Sequence, residues 1–310
     1  MKIVNNKNVI YTFKPKMASV ERVRLGERFR LKLNDGFQGQ IKSEFQKYHD
    51  IDESKIGPAT GPVFIEGAKP GDLLKIEILD IDVGSEGVAL IMPGEGVLGS
   101  KVARTSIRLM PVKNGHLGFG DLLIPVRPMI GIIGVAPSSA EGEFSTLVPW
   151  KHGGNMDTTD IGTGSTLFLP VSQEGALLAV GDCHAAMGDG EVGVSGCEIA
   201  AAVTLSVDLI KGKATAWPLL ETSDYTMVVA SGITLEEAII NAVDTSTEYL
   251  RGGLGISWED AYILSSLVVD IKISQVVNPR KTVRAAIPKS LLKTDSIINS
   301  APSQHEMFKK

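Results

Sequence analysis

The densest run of chemically capable side chains is Gly181-Asp182-Cys183-His184-Ala185-Ala186-Met187-Gly188-Asp189-Gly190-Glu191, and it follows an apolar stretch at 176–180 that reads as a buried strand. In extended chain, side chains at i and i+2 share a face. Asp182 and His184 then point together, Cys183 points away, and Asp189 pairs with Glu191. Two acid-bearing pairs joined by a short link can close on one small polar centre. That centre is either a divalent metal or an acid/base pair acting on a substrate.

A second polar segment, Lys151-His152-Gly153-Gly154-Asn155-Met156-Asp157, puts Lys, His, Asn and Asp within seven residues. Adjacent glycines let a backbone approach a ligand closely, and their amides can bind a developing oxyanion. A third, Asn34-Asp35-Gly36-Phe37-Gln38-Gly39-Gln40, closes a strand and leaves Asp35 and Gln40 at its mouth. By residue type alone the turn reading comes first, because Asp and Asn beside Gly are common turn residues.

The elements that must position these segments are mostly strands. Arg28-Phe29-Arg30-Leu31-Lys32-Leu33 alternates apolar with basic, the pattern of a half-buried antiparallel strand, and Val203, Leu205, Val207 and Leu209 alternate with polar residues in the same way. Lys69-Pro70-Gly71-Asp72 is a turn leading into a strand at 73–83. Residues 84–100, with five glycines, are expected to form a loop able to cover a pocket. The short apolar runs around Pro125 and Pro128 cannot both be central in a sheet. Helices come late. Thr234-Leu235-Glu236-Glu237 is a capping box opening a helix that Gly252-Gly253 should stop, and Ser257-Trp258-Glu259-Asp260 opens a second. The expected fold is mainly β, α+β in class: a jelly-roll-like β-sandwich packed on a β-rich part with two C-terminal helices. A boundary near residue 145 would separate a sandwich at 1–145, carrying Asp35 and Gln40, from an α+β part at 146–310; a single intertwined unit is the alternative.

The bulk composition narrows the function classes. With 310 residues, 43% hydrophobic, 22% charged, 33 Gly and 15 Pro, the chain is globular, with many turns between short strands. A net charge of −5 and the lack of a Lys/Arg cluster argue against a nucleic-acid surface. The longest apolar tract, at 122–135, is broken by Arg127 and two prolines and cannot span a membrane; nothing at the N-terminus reads as an export signal. Two cysteines, Cys183 and Cys197, give no disulfide framework and suit a reducing, cytoplasmic compartment.

The motifs together resemble the acetamidase/formamidase family. The match rests on His152-Gly153-Gly154-Asn155-Met156-Asp157, on Leu167-Phe168-Leu169-Pro170-Val171, on Gly181-Asp182-Cys183-His184-Ala185-Ala186 with Gly188-Asp189-Gly190-Glu191, and upstream on Pro58-Ala59-Thr60-Gly61-Pro62-Val63. The resemblance implies hydrolysis of short aliphatic amides such as formamide and acetamide to a carboxylate and ammonia, by a β-sandwich-containing homo-oligomer, a dimer or larger, that depends on a metal. Gly36 stands where many members carry Cys, which disfavours a cysteine nucleophile and leaves a metal-activated water.

On this reading Asp35, Asp182 and His184 are the metal ligands, with His152 and Asp157 next in line, and Glu191 is the base. Asn155, Gln40 and the Gly153-Gly154 amides bind the substrate oxygen, with His152 and Asp157 beside them. Mixed carboxylate and imidazole ligands suit zinc, with calcium or manganese as the carboxylate-rich alternatives. Two rival readings remain: a metal-stabilised binding or structural protein without turnover, and a metal-free amidohydrolase in which Lys151 acts on Glu191 or Glu141.

Overall fold

A computed structural model describes residues 1–300. Its largest sheet has nine strands in the order Lys2–Val4, Arg28–Leu33, Ala201–Ile210, Leu73–Val83, Thr166–Pro170, Leu219–Glu221, Tyr225–Gly232, Lys281–Pro288, Asp270–Gln275. Strands from before and after residue 145 share it, with Ala201–Ile210 between Arg28–Leu33 and Leu73–Val83. A six-stranded sheet joins Gly153–Asn155, Met129–Gly134, Leu178–His184, Ala59–Ile65 and Val9–Ile10, with Glu21–Val23 running parallel to Ala59–Ile65.

The alternation in the sequence becomes burial. Phe29, Leu31 and Leu33 are buried while Arg28 and Lys32 are exposed, and Val203, Leu205 and Val207 pack on the same side. These side chains meet Val63, Ile130, Ile133, Val180 and Cys183 from the six-stranded sheet in one core. The two sheets thus form a sandwich. At the end of the nine-stranded sheet formed by Tyr225–Gly232 and Lys281–Pro288, helices cover the other face: Met227 and Val229 enter the sandwich core, whereas Val228 and Ala230 pack under Ala238, Ala242 and Leu250 of α1 (Leu235–Leu254). A second helix, α2 (Trp258–Val268), and a short third, α3 (Thr294–Ser300), complete that layer. The β-rich α+β class holds, with α3 in addition to the two expected helices.

Local expectations were met at several points. The Thr234 hydroxyl accepts the Glu237 amide at 3.1 Å, and Glu237 Oε2 reaches back to the Ile233 amide at 2.8 Å. Leu122–Pro125 is an edge strand and only Met129–Gly134 is central, as the prolines require.

Two expectations fail. Helix α1 runs through Gly252-Gly253 and ends at Gly255, which adopts a left-handed φ of 66°. The two glycines serve packing instead: a Cβ on Gly253 would sit 2.7 Å from Leu292 Cδ2, and one on Gly252 3.1 Å from Ser300 Cβ. Residues 84–100 are not one loop either. Glu86–Ile91 is a strand of a four-stranded antiparallel sheet, with Val88 and Leu90 buried, because the apolar alternation there outweighs the glycines around it.

Candidate active site

The strand Leu178–His184 is buried along its whole length and lies between Met129–Gly134 and Ala59–Ile65. Its last residues present Asp182 and His184 on one side, with Asp182 Oδ2 3.8 Å from His184 Nε2, and send Cys183 into the sandwich core. Burial pushes the Cys183 thiol above its ordinary range and that of Cys197 up to about 12, so neither supplies a thiolate.

Around His184 the fold gathers four buried carboxylates: Asp157, Asp182, Glu191 and Glu198. His184 Nε2 lies 3.0 Å from Glu198 Oε1 and 3.9 Å from Glu191 Oε1, while Nδ1 faces Met187 Sδ at 3.3 Å. Glu191 Oε1 accepts the Gly196 amide at 3.0 Å. Two three-residue groups can each present ligand atoms within 4.8 Å of one another: Asp182, His184 and Glu198, and Asp157, His184 and Glu191.

The backbone is shaped for this crowding. Asp157, Asp182 and Glu191 all have positive φ, 40°, 55° and 46°, a conformation costly for residues with a Cβ and concentrated at functional sites. Glycines stand where the acids converge. A Cβ on Gly36 would meet Glu198 Oε2 at 2.4 Å and Asp182 Oδ1 at 2.5 Å; on Gly131 it would meet Asp157 Oδ1 at 2.4 Å; on Gly196, His184 Nδ1 at 2.6 Å.

Burial is the main cause that pushes the carboxyls of Asp182 and Glu191 well up and that of Glu198 up to about 8, with repulsion among the acids adding to it. Three carboxylate oxygens of the cluster have no hydrogen-bond partner: Glu191 Oε2, Glu198 Oε2 and Asp157 Oδ1. Buried acceptors crowded in this way and left unpaired fit a bound divalent cation, which would satisfy them at once. Asp182, Glu191 and Glu198 of the cluster line a cavity of about 170 Å³. Asn155, Ser195 and Asn278 line it beside the acids, and Phe37, Leu90, Met92 and Leu147 form apolar walls.

The other expected site residues are placed as follows. Asn155 is buried, lines the cavity and leaves its side-chain oxygen unpartnered. Asp157 belongs to the cluster, with Oδ2 accepting from Asn278 Nδ2 at 2.6 Å. Asp35 is outside both three-residue groups. Its Oδ1 accepts the Phe37 and Gly39 amides, each at 2.9 Å, in a turn that lays Gly36 against the acids. Gln40 holds Asp52 through both ends of its amide and does not reach the cluster. His152 lies apart, buried against the rings of Phe13 and Phe144, and burial lowers its pKa to about 3. Gly153 and Gly154 are part of a strand, and Cβ atoms there would strike Ile133 O at 2.2 Å and Val148 O at 2.4 Å. Their positive φ values of 92° and 88° serve that close packing.

The i,i+2 pairing expected of Asp189 and Glu191 is absent, because Gly190 and Glu191 both have positive φ and the chain turns. Asp189 instead faces Arg284 at 2.7 Å. Lys151 is exposed, with its ammonium over the rings of Trp150 and Trp217, and Glu141 pairs with Ser138. Glu198 and Asn278 were not anticipated. Glu198 carried one signal, an acid set between Cys197 and Ile199 ahead of a buried strand; Asn278 carried none.

The family model of the acetamidase/formamidase family matches residues 2–142 and 139–294. The chain belongs to the acetamidase/formamidase family. It is 27% identical to a formamidase of Methylophilus methylotrophus, over 91% of this chain and 88% of that protein. Among solved structures, the acetamidase of Bacillus halodurans superposes with a TM-score of 0.91 at 39% identity, covering 94% of this chain and 99% of that one. A predicted acetamidase/formamidase from Thermoanaerobacter tengcongensis gives 0.92 at 40%, covering 96% and 98%.

Proposed function

We propose that this member of the acetamidase/formamidase family hydrolyses short aliphatic amides, formamide and acetamide, to a carboxylate and ammonia. One observation carries the reading: four buried carboxylates converge on a buried histidine, three of them lining a small cavity, with acceptor atoms left unpaired. Asp182, His184 and Glu198 would hold a divalent cation, which we propose to be zinc, with calcium or manganese as the alternatives that so many carboxylates admit. Bound there, the cation supplies Lewis acidity and a water of lowered pKa.

The side chains of the site do the rest. Glu191, with Oε2 free and Oε1 held by the Gly196 amide, takes a proton from the attacking water and delivers it to the amide nitrogen as the C–N bond breaks. Asn155 binds the substrate oxygen from the cavity wall. The apolar walls exclude bulk water and strengthen every electrostatic contact inside.

The test is ammonia release from formamide and acetamide before and after chelation, with Glu191→Gln alongside. Full activity after chelation would overturn the metal reading, and an unimpaired variant would remove Glu191 as the base.

Among the described residues no helix is long and apolar enough to cross a membrane. Exposed Trp258, Tyr262, Ile263 and Leu267 on α2, beside Ile271 on an edge strand, support a homodimer, tested by sedimentation. Two free, buried cysteines suit the cytoplasm.

A further inference from the structure

The hairpin that joins the last two strands of the nine-stranded sheet lines the cavity with Val277, Asn278 and Pro279. Gln275, fully buried, folds it: its Oε1 accepts the amides of Val277 and Asn278 at 3.0 and 2.9 Å, and its Nε2 donates to Arg280 O and Thr282 Oγ1. This delivers the Asn278 side chain to the cavity, next to Asp157.

The orientation of that side chain is decided by its neighbours. Its nitrogen lies 2.6 Å from Asp157 Oδ2 and 3.1 Å from the Asn155 carbonyl oxygen, both acceptors, so the NH₂ end faces them and both of its hydrogens are used. The oxygen end is left over. Among the described residues no donor reaches Asn278 Oδ1, and the side chain lines the cavity beside the acids. A small cavity offering an oriented carbonyl acceptor has a use for one kind of partner, a substrate N–H. Asn155, by contrast, faces the same space as the group assigned to the substrate oxygen.

We infer that Asn278 recognises the amide NH₂ of the substrate through Oδ1 and so selects primary amides over esters and acids of the same size. The inference rests on the amidase reading above. A site built to hydrogen-bond a group rejects the analogue lacking that group far more strongly than a merely apolar pocket could. Asn278 also steadies Asp157, so a test must separate recognition from positioning.

The measurement compares acetamide with methyl acetate, which keeps the acetyl group and has no N–H. In the metal-loaded protein, Asn278→Ala should raise the KM for acetamide about tenfold or more, while the inhibition constant of methyl acetate as a competitor changes less than threefold. Equal changes for both compounds would show that Asn278 only positions Asp157, and no change in either would remove it from the site; both results overturn the inference. The unmutated protein gives a second reading independent of the variant's folding. Inhibition by N-methylacetamide and N,N-dimethylacetamide should weaken most at the second methylation, when the last N–H disappears, and equal inhibition by the two overturns the inference. Failure of the unmutated protein to hydrolyse any amide would instead overturn the amidase reading itself.

Discussion

Two clusters of buried charge lie on the two sides of the 188–191 loop, and they are resolved in opposite ways. Arg284, the largest fully buried side chain, is balanced in charge: its guanidinium faces Asp189 at 2.7 Å, Asp160 at 2.9 Å and Ser274 Oγ at 3.0 Å, with only its Nε and Asp160 Oδ2 outside hydrogen-bond geometry. Thr159 and Thr158 close the network onto Asp189 and Ser274. The cluster around His184 holds four acids and a single imidazole, with acceptor atoms unpaired. An uncompensated buried charge is strongly destabilising, so the first arrangement is what structure requires, and the second persists only where something else completes it. Asp189 and Glu191 stand two residues apart on one loop and belong to different clusters. The Arg284 network grips the loop and the segment after Asp157, and so holds the acids of the other cluster where they are.

The comparison can be broken from either side. The largest effect is expected at Glu191→Gln, which should lower kcat on acetamide by about 10²–10⁴-fold, the usual worth of a general base, while leaving thermal stability equal or higher because a buried acid is removed. Steady-state kinetics beside a melting curve checks this; a large loss of stability would place Glu191 among the structural acids.

Arg284→Met should cost about 3 kcal/mol of unfolding free energy, the low end of the range for a broken buried pair, since Asp160 and Asp189 are partly exposed and can be rehydrated. Urea unfolding measures it. A neutral result would make the two clusters equivalent.

Cation binding should stabilise the fold by about 2.7 kcal/mol at a free concentration 100 times Kd, read as a rise in melting temperature that Asp182→Asn with His184→Ala abolishes.

Acidity should act on the two buried groups with opposite signs. Burial pushes the Glu198 carboxyl up to about 8 in the fold, from an ordinary value of 4.5. In chelated protein its contribution is therefore present below about 4.5 and lost as pH rises toward about 8, and the added cation should remove that loss. His152 titrates near 3 in the fold against 6.5, so its contribution is present above 6.5 and lost as pH falls toward 3. His152→Phe should flatten the acid limb of the stability curve, the smallest of these effects, without moving the alkaline limb.

Much of the fold was legible from local pattern. Alternation at 28–33 and 203–209 and the helix N-caps at Thr234 and Ser257 depend only on neighbours in sequence, and they formed as read. Gly252-Gly253 misled because glycine signals both a helix stop and a close contact. Only the position of Leu292 and Ser300 tells which applies.

By itself the sequence determined that Asp182 and His184 share a face with Cys183 turned away, since a strand's period of two fixes side-chain direction, and its motifs pointed to the family. Only the tertiary structure decided which other groups meet them. Glu198 joins His184 through the pairing of its backbone with the strand end, and Asn278 meets Asp157 across 121 residues of chain. His152 and Asp189, equally suggestive in sequence, were drawn to Phe144 and Arg284. Such contacts follow from sheet order and loop turns between segments remote in sequence, and no local spacing encodes them.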